Sequence, residues 1–203
     1  MKIVIVDYGM GNVHSIVGAM SYLGFSDVAI SNHNEQILGA DRLILPGVGN
    51  FARAIQNIKS LDLDKSLSLA HSEKSIPILG ICLGMQLLGL SSTESGTNQG
   101  LGYFNGTVTR FESGTLAVPH VGYNQVSHTG SMRIFEGIKN NSDFYFTHSY
   151  KMQSGQDHSL AFCDYGDRFV SAFESDSIAG VQFHPELSQL NGLKLLKNFV
   201  EYF

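Results

Sequence analysis

Two short stretches of the chain carry residue types that could do covalent chemistry. The first is Gly80-Ile81-Cys82-Leu83-Gly84, which follows one apolar run and precedes another. It has the form of a nucleophile elbow, with cysteine in the place of serine. In such an elbow a strained strand-to-helix turn lifts the sulfur clear of a sheet. The flanking glycines leave room for backbone and substrate, and the helix N-terminus favours thiolate. Taken alone, Cys82 fits a nucleophile and a buried structural thiol equally well, because free cysteines are often buried. The second stretch is Gly180-Val181-Gln182-Phe183-His184-Pro185-Glu186. A cysteine nucleophile needs a base, and His184 is the candidate. Glu186 can reach back to the imidazole and fix its tautomer, while Pro185 stiffens the link. A lone His-Pro-Glu reads more simply as a solvated turn; its pairing with the elbow favours a Cys-His-Glu set. A third stretch, Pro46-Gly47-Val48-Gly49, could turn backbone N–H groups toward a developing oxyanion, although as a turn signal it is common.

These residues need a scaffold that brings strand ends together. Lys2 to Val6 is a continuous apolar run that reads as a buried parallel strand. A helix is expected from Asn12, as N-cap, to about Leu23, with Gly24 as its stop. Further strands are expected at Asp27–Ile30, Arg42–Leu45 and Ile76–Leu79. Helices are expected at Phe51–Ile58, Asp62–His71 and Leu83–Leu90. Strands alternating with helices imply a parallel α/β sheet, whose strand C-termini share the edge where ligands bind. After Ser91 the pattern changes. Asn98–Gly102 reads as a polar, glycine-rich loop. Strands then follow at Gly106–Phe111, Phe144–Thr147, Ser159–Phe162, Phe169–Glu174 and Ile178–Phe183, some of them antiparallel. Gln189–Tyr202 closes the chain as an amphipathic helix. The expectation is a single domain over 1–203: an α/β, flavodoxin-like fold with a central, mostly parallel sheet flanked by helices and added antiparallel strands in the second half.

Composition sets outer bounds. The 203 residues suit one domain with a full core, at 43% hydrophobic and 15% charged. The net charge of -5 argues against nucleic-acid and anionic-membrane partners. No run is long enough for a membrane helix, and the N-terminal apolar run is too short for a signal peptide, so a cytoplasmic location is expected. The two cysteines, Cys82 and Cys163, are not expected to pair in a reducing compartment. The scattered histidines and the lack of CxxC or HExxH spacing predict no metal and no cofactor. Gly9-Met10-Gly11 lacks the third glycine of a dinucleotide fingerprint, since position 14 is His14.

Over nearly its whole length the chain resembles the class I, triad-type glutamine amidotransferases. Within them it is similar to the glutaminase subunits of imidazole glycerol phosphate synthases. The matching stretches are Asp7 to Asn12, Leu45 to Gly49, Gly80 to Leu88, Pro119 to Asn124, Tyr145 to Tyr150 and Gln182 to Glu186. The resemblance implies that Cys82 attacks the amide of L-glutamine, that His184 serves as acid and base, and that Glu186 holds His184. It implies that backbone at Gly47, Val48 and Gly49 forms an oxyanion hole. Gln86, Glu94, His148, Ser149 and Tyr150 would contact the substrate, although without the resemblance each reads as an ordinary helix, loop or strand residue. It further implies a heterodimer with a (β/α)8-barrel synthase (cyclase) subunit that accepts the ammonia.

Asn12, Tyr123 and Leu187 match positions that face that subunit. Two of them depart from the family pattern, which has Trp at the first of these last two and Lys at the second; losing a Lys removes a charge for interface pairing. Two other readings stand beside this one. A related glutaminase subunit could supply amidation of a surface-polysaccharide sugar. A cysteine hydrolase or redox sensor would explain Cys82 but not Gln86, Glu94 or His-Pro-Glu.

Overall fold

A computed structural model describes residues 1–112, 116–129, 131–154 and 159–203. Its first half alternates strand and helix as expected. Strands β1 (Ile3–Val6), β2 (Val28–Ser31), β3 (Arg42–Leu45), β4 (Ile78–Ile81) and β13 (Ile178–Val181) run parallel in the order β2-β1-β3-β4-β13. β1, β4 and β13 are buried at every residue, because helices cover both faces. Alternation divides the core in two. Ile3 and Ile5 point into a cluster with Ile16 and Met20 of α1 (Val13–Tyr22) and Leu195, Leu196 and Phe199 of α6 (Gln189–Tyr202). Val4 and Val6 point the other way, toward α2 (Asn34–Leu38), α3 (Phe51–Ser60) and α4 (Leu63–Ser72).

The second half is antiparallel around β13. There β12 (Asp167–Glu174) pairs β13, β10 (Tyr150–Ser154) pairs β12, and β7 (Gly106–Arg110) pairs β10. The short β5 (Ser91–Ser92) runs parallel to β7 and carries β6 (Asn98–Gln99) on its far side. β11 (Leu160–Tyr165) pairs both β12 and β8 (His120–His128), and β8 pairs β9 (Ser142–His148) along its length. The sheet is therefore mixed, with its parallel part confined mainly to the five strands β2-β1-β3-β4-β13.

Several expectations change. Asn12 occupies the N-cap position of α1, but its side chain makes no capping hydrogen bond. Asn50 does cap, accepting from the Arg53 amide at 3.1 Å at the start of α3. Gly24, at φ +87°, ends α1 as expected. β4 begins two residues later than expected, so Gly80 and Ile81 belong to the strand. The helix after Cys82, α5 (Leu83–Leu87), stops early because the Leu90 amide is drawn to Gly106 O at 2.8 Å, feeding β5. The Asn98–Gly102 stretch contains β6, and α2, β8 and β10 were not expected at all.

Candidate active site

Cys82 sits between β4 and α5 at φ 52°, ψ -108°. A non-glycine residue in that region is strained, and such residues concentrate at functional sites. The surrounding backbone fixes it. The Cys82 amide donates to Val181 O at 2.8 Å, and Cys82 O accepts from the Gln86 amide at 3.2 Å. The elbow's glycines allow backbone to lie against backbone. A Cβ on Gly84 would fall 1.8 Å from Leu45 O, and one on Gly80 would fall 2.7 Å from the Gly84 carbonyl. Cys82 is 6% exposed. Its sulfur lies 4.0 Å from Thr147 O and 3.6 Å from Gln182 Nε2.

The base arrives on the neighbouring strand. β13 lies parallel to β4 with Val181 opposite Ile81, so residues just past the two strand ends meet. His184 is anchored through its own amide to Tyr145 O at 2.8 Å. Ser188 Oγ reinforces the turn, donating to His184 O at 2.6 Å and accepting from the Tyr145 amide at 2.9 Å. Pro185 opens a short 3-10 turn, Pro185–Leu187, that aims Glu186 back at the ring. His184 Nδ1 and Glu186 Oε1 are 2.8 Å apart, with side chains 3% and 1% exposed. Since the carboxylate accepts, Nδ1 carries a proton and Nε2 is left for the sulfur. Burial alone would lower the imidazole pKa. The Cys82 sulfur and the Glu186 carboxylate outweigh it and raise the pKa to about 10. His184 Nε2 and Glu186 Oε2 are both buried without a well-formed hydrogen bond. The Cys82 sulfur thus favours the charged ring although Nε2 makes no hydrogen bond, and catalytic hydrogen bonds often form only when substrate binds.

A cavity of about 230 Å³ opens beside the sulfur, smaller than the roughly 300–1,000 Å³ of drug-sized pockets. Val48, Gly49, Gln86, Glu94, His148, Ser149 and Tyr150 all border it. Each of these expected contacts is therefore brought to the sulfur. Gly47 is not among the lining residues. A Cβ there would lie 2.6 Å from Gly84 N, so this glycine serves close packing against the elbow. The amides of Val48 and Gly49 donate no hydrogen bond among the described residues. Leu83, as the first helical residue, has an N–H without an intrahelical acceptor. These free donors flank the space where an oxyanion could form.

Other groups are partly committed. Glu94 Oε2 accepts from the Phe51 amide at 2.7 Å, which leaves its other oxygen for a cation in the cavity. Gln86 donates through Nε2 to Tyr150 O at 3.0 Å and to Gln182 Oε1 at 2.9 Å. The His148 imidazole is spent inward, on Tyr150 O at 2.8 Å and His120 Nδ1 at 3.1 Å. Burial pushes its pKa down to about 3, so it is a neutral ring. Any ligand contact in this segment falls mainly to Ser149 and backbone. Of the expected interface residues, Tyr123 and Leu187 are exposed and touch, Tyr123 Oη donating to Leu187 O at 2.8 Å. Asn12 is exposed at the start of α1, which abuts the Pro185–Leu187 turn.

Four contributors escaped the sequence reading. Tyr8 donates its hydroxyl to Pro46 O at 2.5 Å and so ties down the Gly47–Gly49 loop. Burial, then the charge of Cys82, hold that phenol far above its ordinary pKa. Leu83 N–H, Thr147 O and Gln182 are the others. Tyr8, Leu83, Thr147 and Gln182 all lie inside quoted motifs, but nothing in their residue types separates them from neighbours.

Comparison with known proteins agrees with this geometry. The family Glutamine amidotransferase class-I matches residues 4–202. The Imidazole glycerol phosphate synthase subunit HisH of Aquifex aeolicus (strain VF5) is 44% identical over 98% of this chain and 96% of its own. The corresponding subunit HisH 1 of Vibrio vulnificus (strain YJ016) is 43% identical over 98% of each. A solved glutamine amidotransferase superposes with a TM-score of 0.76 at 20% identity, covering 98% of this chain and 97% of that one, and so shares the fold. An elbow cysteine, a carboxylate-held histidine and a nearly full-length family match lead to one conclusion: the chain belongs to the class I glutamine amidotransferases.

Proposed function

We propose that this chain is the glutaminase subunit of an imidazole glycerol phosphate synthase, hydrolysing L-glutamine and passing the ammonia to a synthase subunit. The observation that carries the chemistry is that Cys82 and the Glu186-held His184 follow two paired parallel strands, with Cys82 opening onto a cavity bordered by Gln86 and Glu94. The relatives' names, shared over nearly the full length, support the pathway. In this reading the Cys82 thiolate attacks the side-chain amide carbon. The resulting oxyanion is received by the N–H groups of Leu83, Val48 and Gly49. The His184 imidazolium gives its proton to the leaving nitrogen, which departs as ammonia and leaves a thioester. His184 then takes a proton from water, whose attack releases glutamate and regenerates the thiolate. Glu94 meets the substrate ammonium.

Free ammonia is largely protonated at neutral pH and lost as a nucleophile, so a docked acceptor is required. Among the described residues no phosphate-cradling loop supplies one within this chain. A (β/α)8-barrel synthase subunit, docked over Asn12, Tyr123 and Leu187, meets that need. Cys82→Ala is expected to abolish glutamate release while the complex still makes product from added ammonium salt. Glutamate release by that variant would refute the assignment. The pair Tyr123 and Leu187, where the family pattern has Trp and Lys, keeps a second reading beside the first: a sugar-amidating synthase as the acceptor. Activation of glutamine turnover by a histidine-pathway synthase and its ligand, and not by the sugar-pathway enzyme, decides for the first.

A further inference from the structure

The sulfur of Cys82 has a donor neighbour that the triad does not include. Gln182 follows β13 as Cys82 follows β4, on adjacent rungs of a parallel pair. Its side chain is fully buried and its Nε2 lies 3.6 Å from Sγ. An amide could present either its nitrogen or its oxygen to the sulfur, and density of atoms alone does not choose between them. The hydrogen-bond chain behind it does. Tyr150 O can only accept, so the Gln86 atom 3.0 Å away is the NH2 group. That same NH2 group faces Gln182 at 2.9 Å, so Gln182 must turn its oxygen toward Gln86. The Gln182 NH2 is then left pointing at the sulfur. A backbone carbonyl in β10 thereby sets, through two buried amides, which end of Gln182 meets Cys82.

We infer that Gln182 is a positioning residue for the nucleophile: its N–H, oriented by Gln86 and Tyr150 O, holds Sγ and stabilises the thiolate. Thr147 O, 4.0 Å from the sulfur, can accept only from the thiol and repels the anion. Gln182 donates, so it favours the anion over the thiol. Hydrogen bonds to charged acceptors are the stronger class. Because Gln86 also borders the cavity, the amide chain links the substrate site to the sulfur without involving His184. The inference takes the glutaminase reading of Cys82 as its base.

The test is the pH profile of Cys82 alkylation by iodoacetamide in the full-length chain, read by mass spectrometry of the Cys82 peptide. Cys163 does not confuse it, since burial pushes that thiol up to about 12. The ionisable groups around the sulfur are His184 with Glu186 behind it, Tyr8, Glu94 and His148. The variants change none of them. Gln182→Met is expected to move the midpoint up by about one pH unit and to slow alkylation at neutral pH by about tenfold. Gln182→Leu, which also lacks the donor, moves it in the same direction. An unmoved midpoint in a variant that melts as wild type overturns the inference. If neither variant folds, Gln86→Met, which removes the group orienting Gln182, carries the same expectation and the same power to refute. Alkylation needs no glutamine. A wild type that never hydrolyses glutamine therefore overturns the function alone, and an unmoved midpoint in an active enzyme overturns the role of Gln182 alone.

Discussion

At Cys82 and His184 the residue-scale question is where one proton resides. Glu186 and the sulfur both favour imidazolium, against the burial that opposes it. The folded His184 pKa is raised to about 10, above the roughly 6.5 of an unfolded histidine. A raised pKa contributes stability that is fully present below the unfolded value and is lost as pH rises through the folded one. Glu186→Gln removes one of the groups that raise it. The gap in melting temperature between wild type and Glu186→Gln is therefore expected to be widest near pH 6 and to narrow steadily toward pH about 10. A gap that stays constant across that range would mean that Glu186 acts on the fold by packing alone.

At the scale of elements, close backbone contact positions the chemistry. The elbow is pinned between β3 and α5 by Gly84, whose missing Cβ leaves room for Leu45 O. Gly84→Ala is expected to destabilise the protein by about 3 kcal/mol or more, at the upper end of overpacking, because the obstacle is backbone and cannot swing away. A urea melt measures this. Gly96→Ala, which meets open space but sits at φ +97°, is the matched control for strain without collision. The parallel half of the sheet was legible because its strands are continuous apolar runs between helices of ordinary length. β8 was not. Its burial alternates weakly, with Gly122 in the middle and only His120 and Val126 buried. β10 hid behind Lys151, a buried lysine paired with Asp167 at 2.6 Å, which no periodicity argument expects in a core strand. α2 is too short to show a helical period. The candidate triad was readable because Cys82 and His184 lie just past strand ends and Glu186 in the turn after them, all close to glycine or proline. Gln182 was not, because its role depends on which way two amides face, and that is decided by a carbonyl in a distant strand.

On the scale of the whole molecule, the active site and the expected docking surface share one turn. The Pro185–Leu187 segment carries Glu186 inward to His184 and Leu187 outward to Tyr123. Tyr123→Ala is expected to leave glutamine hydrolysis by the isolated chain unchanged and to raise the synthase concentration needed for activation by about tenfold or more, as for an aromatic anchor in an interface. Titrating the synthase subunit against glutamate release measures both. Unchanged activation would place the contact elsewhere. No helix among the described residues is long and apolar enough to cross a membrane.

The strand order has a consequence for synthesis of the chain. β13 is the last strand made, yet it lies at the centre of the sheet, between β4 and β12. A ribosome releases the elbow thiol long before it releases the base. Until β13 enters, β4 has an open edge, and the histidine that would activate the thiol has no site to occupy. A chain that stops before β13 and His184 keeps the elbow thiol but has an unfinished sheet and no base beside it, so it cannot consume glutamine.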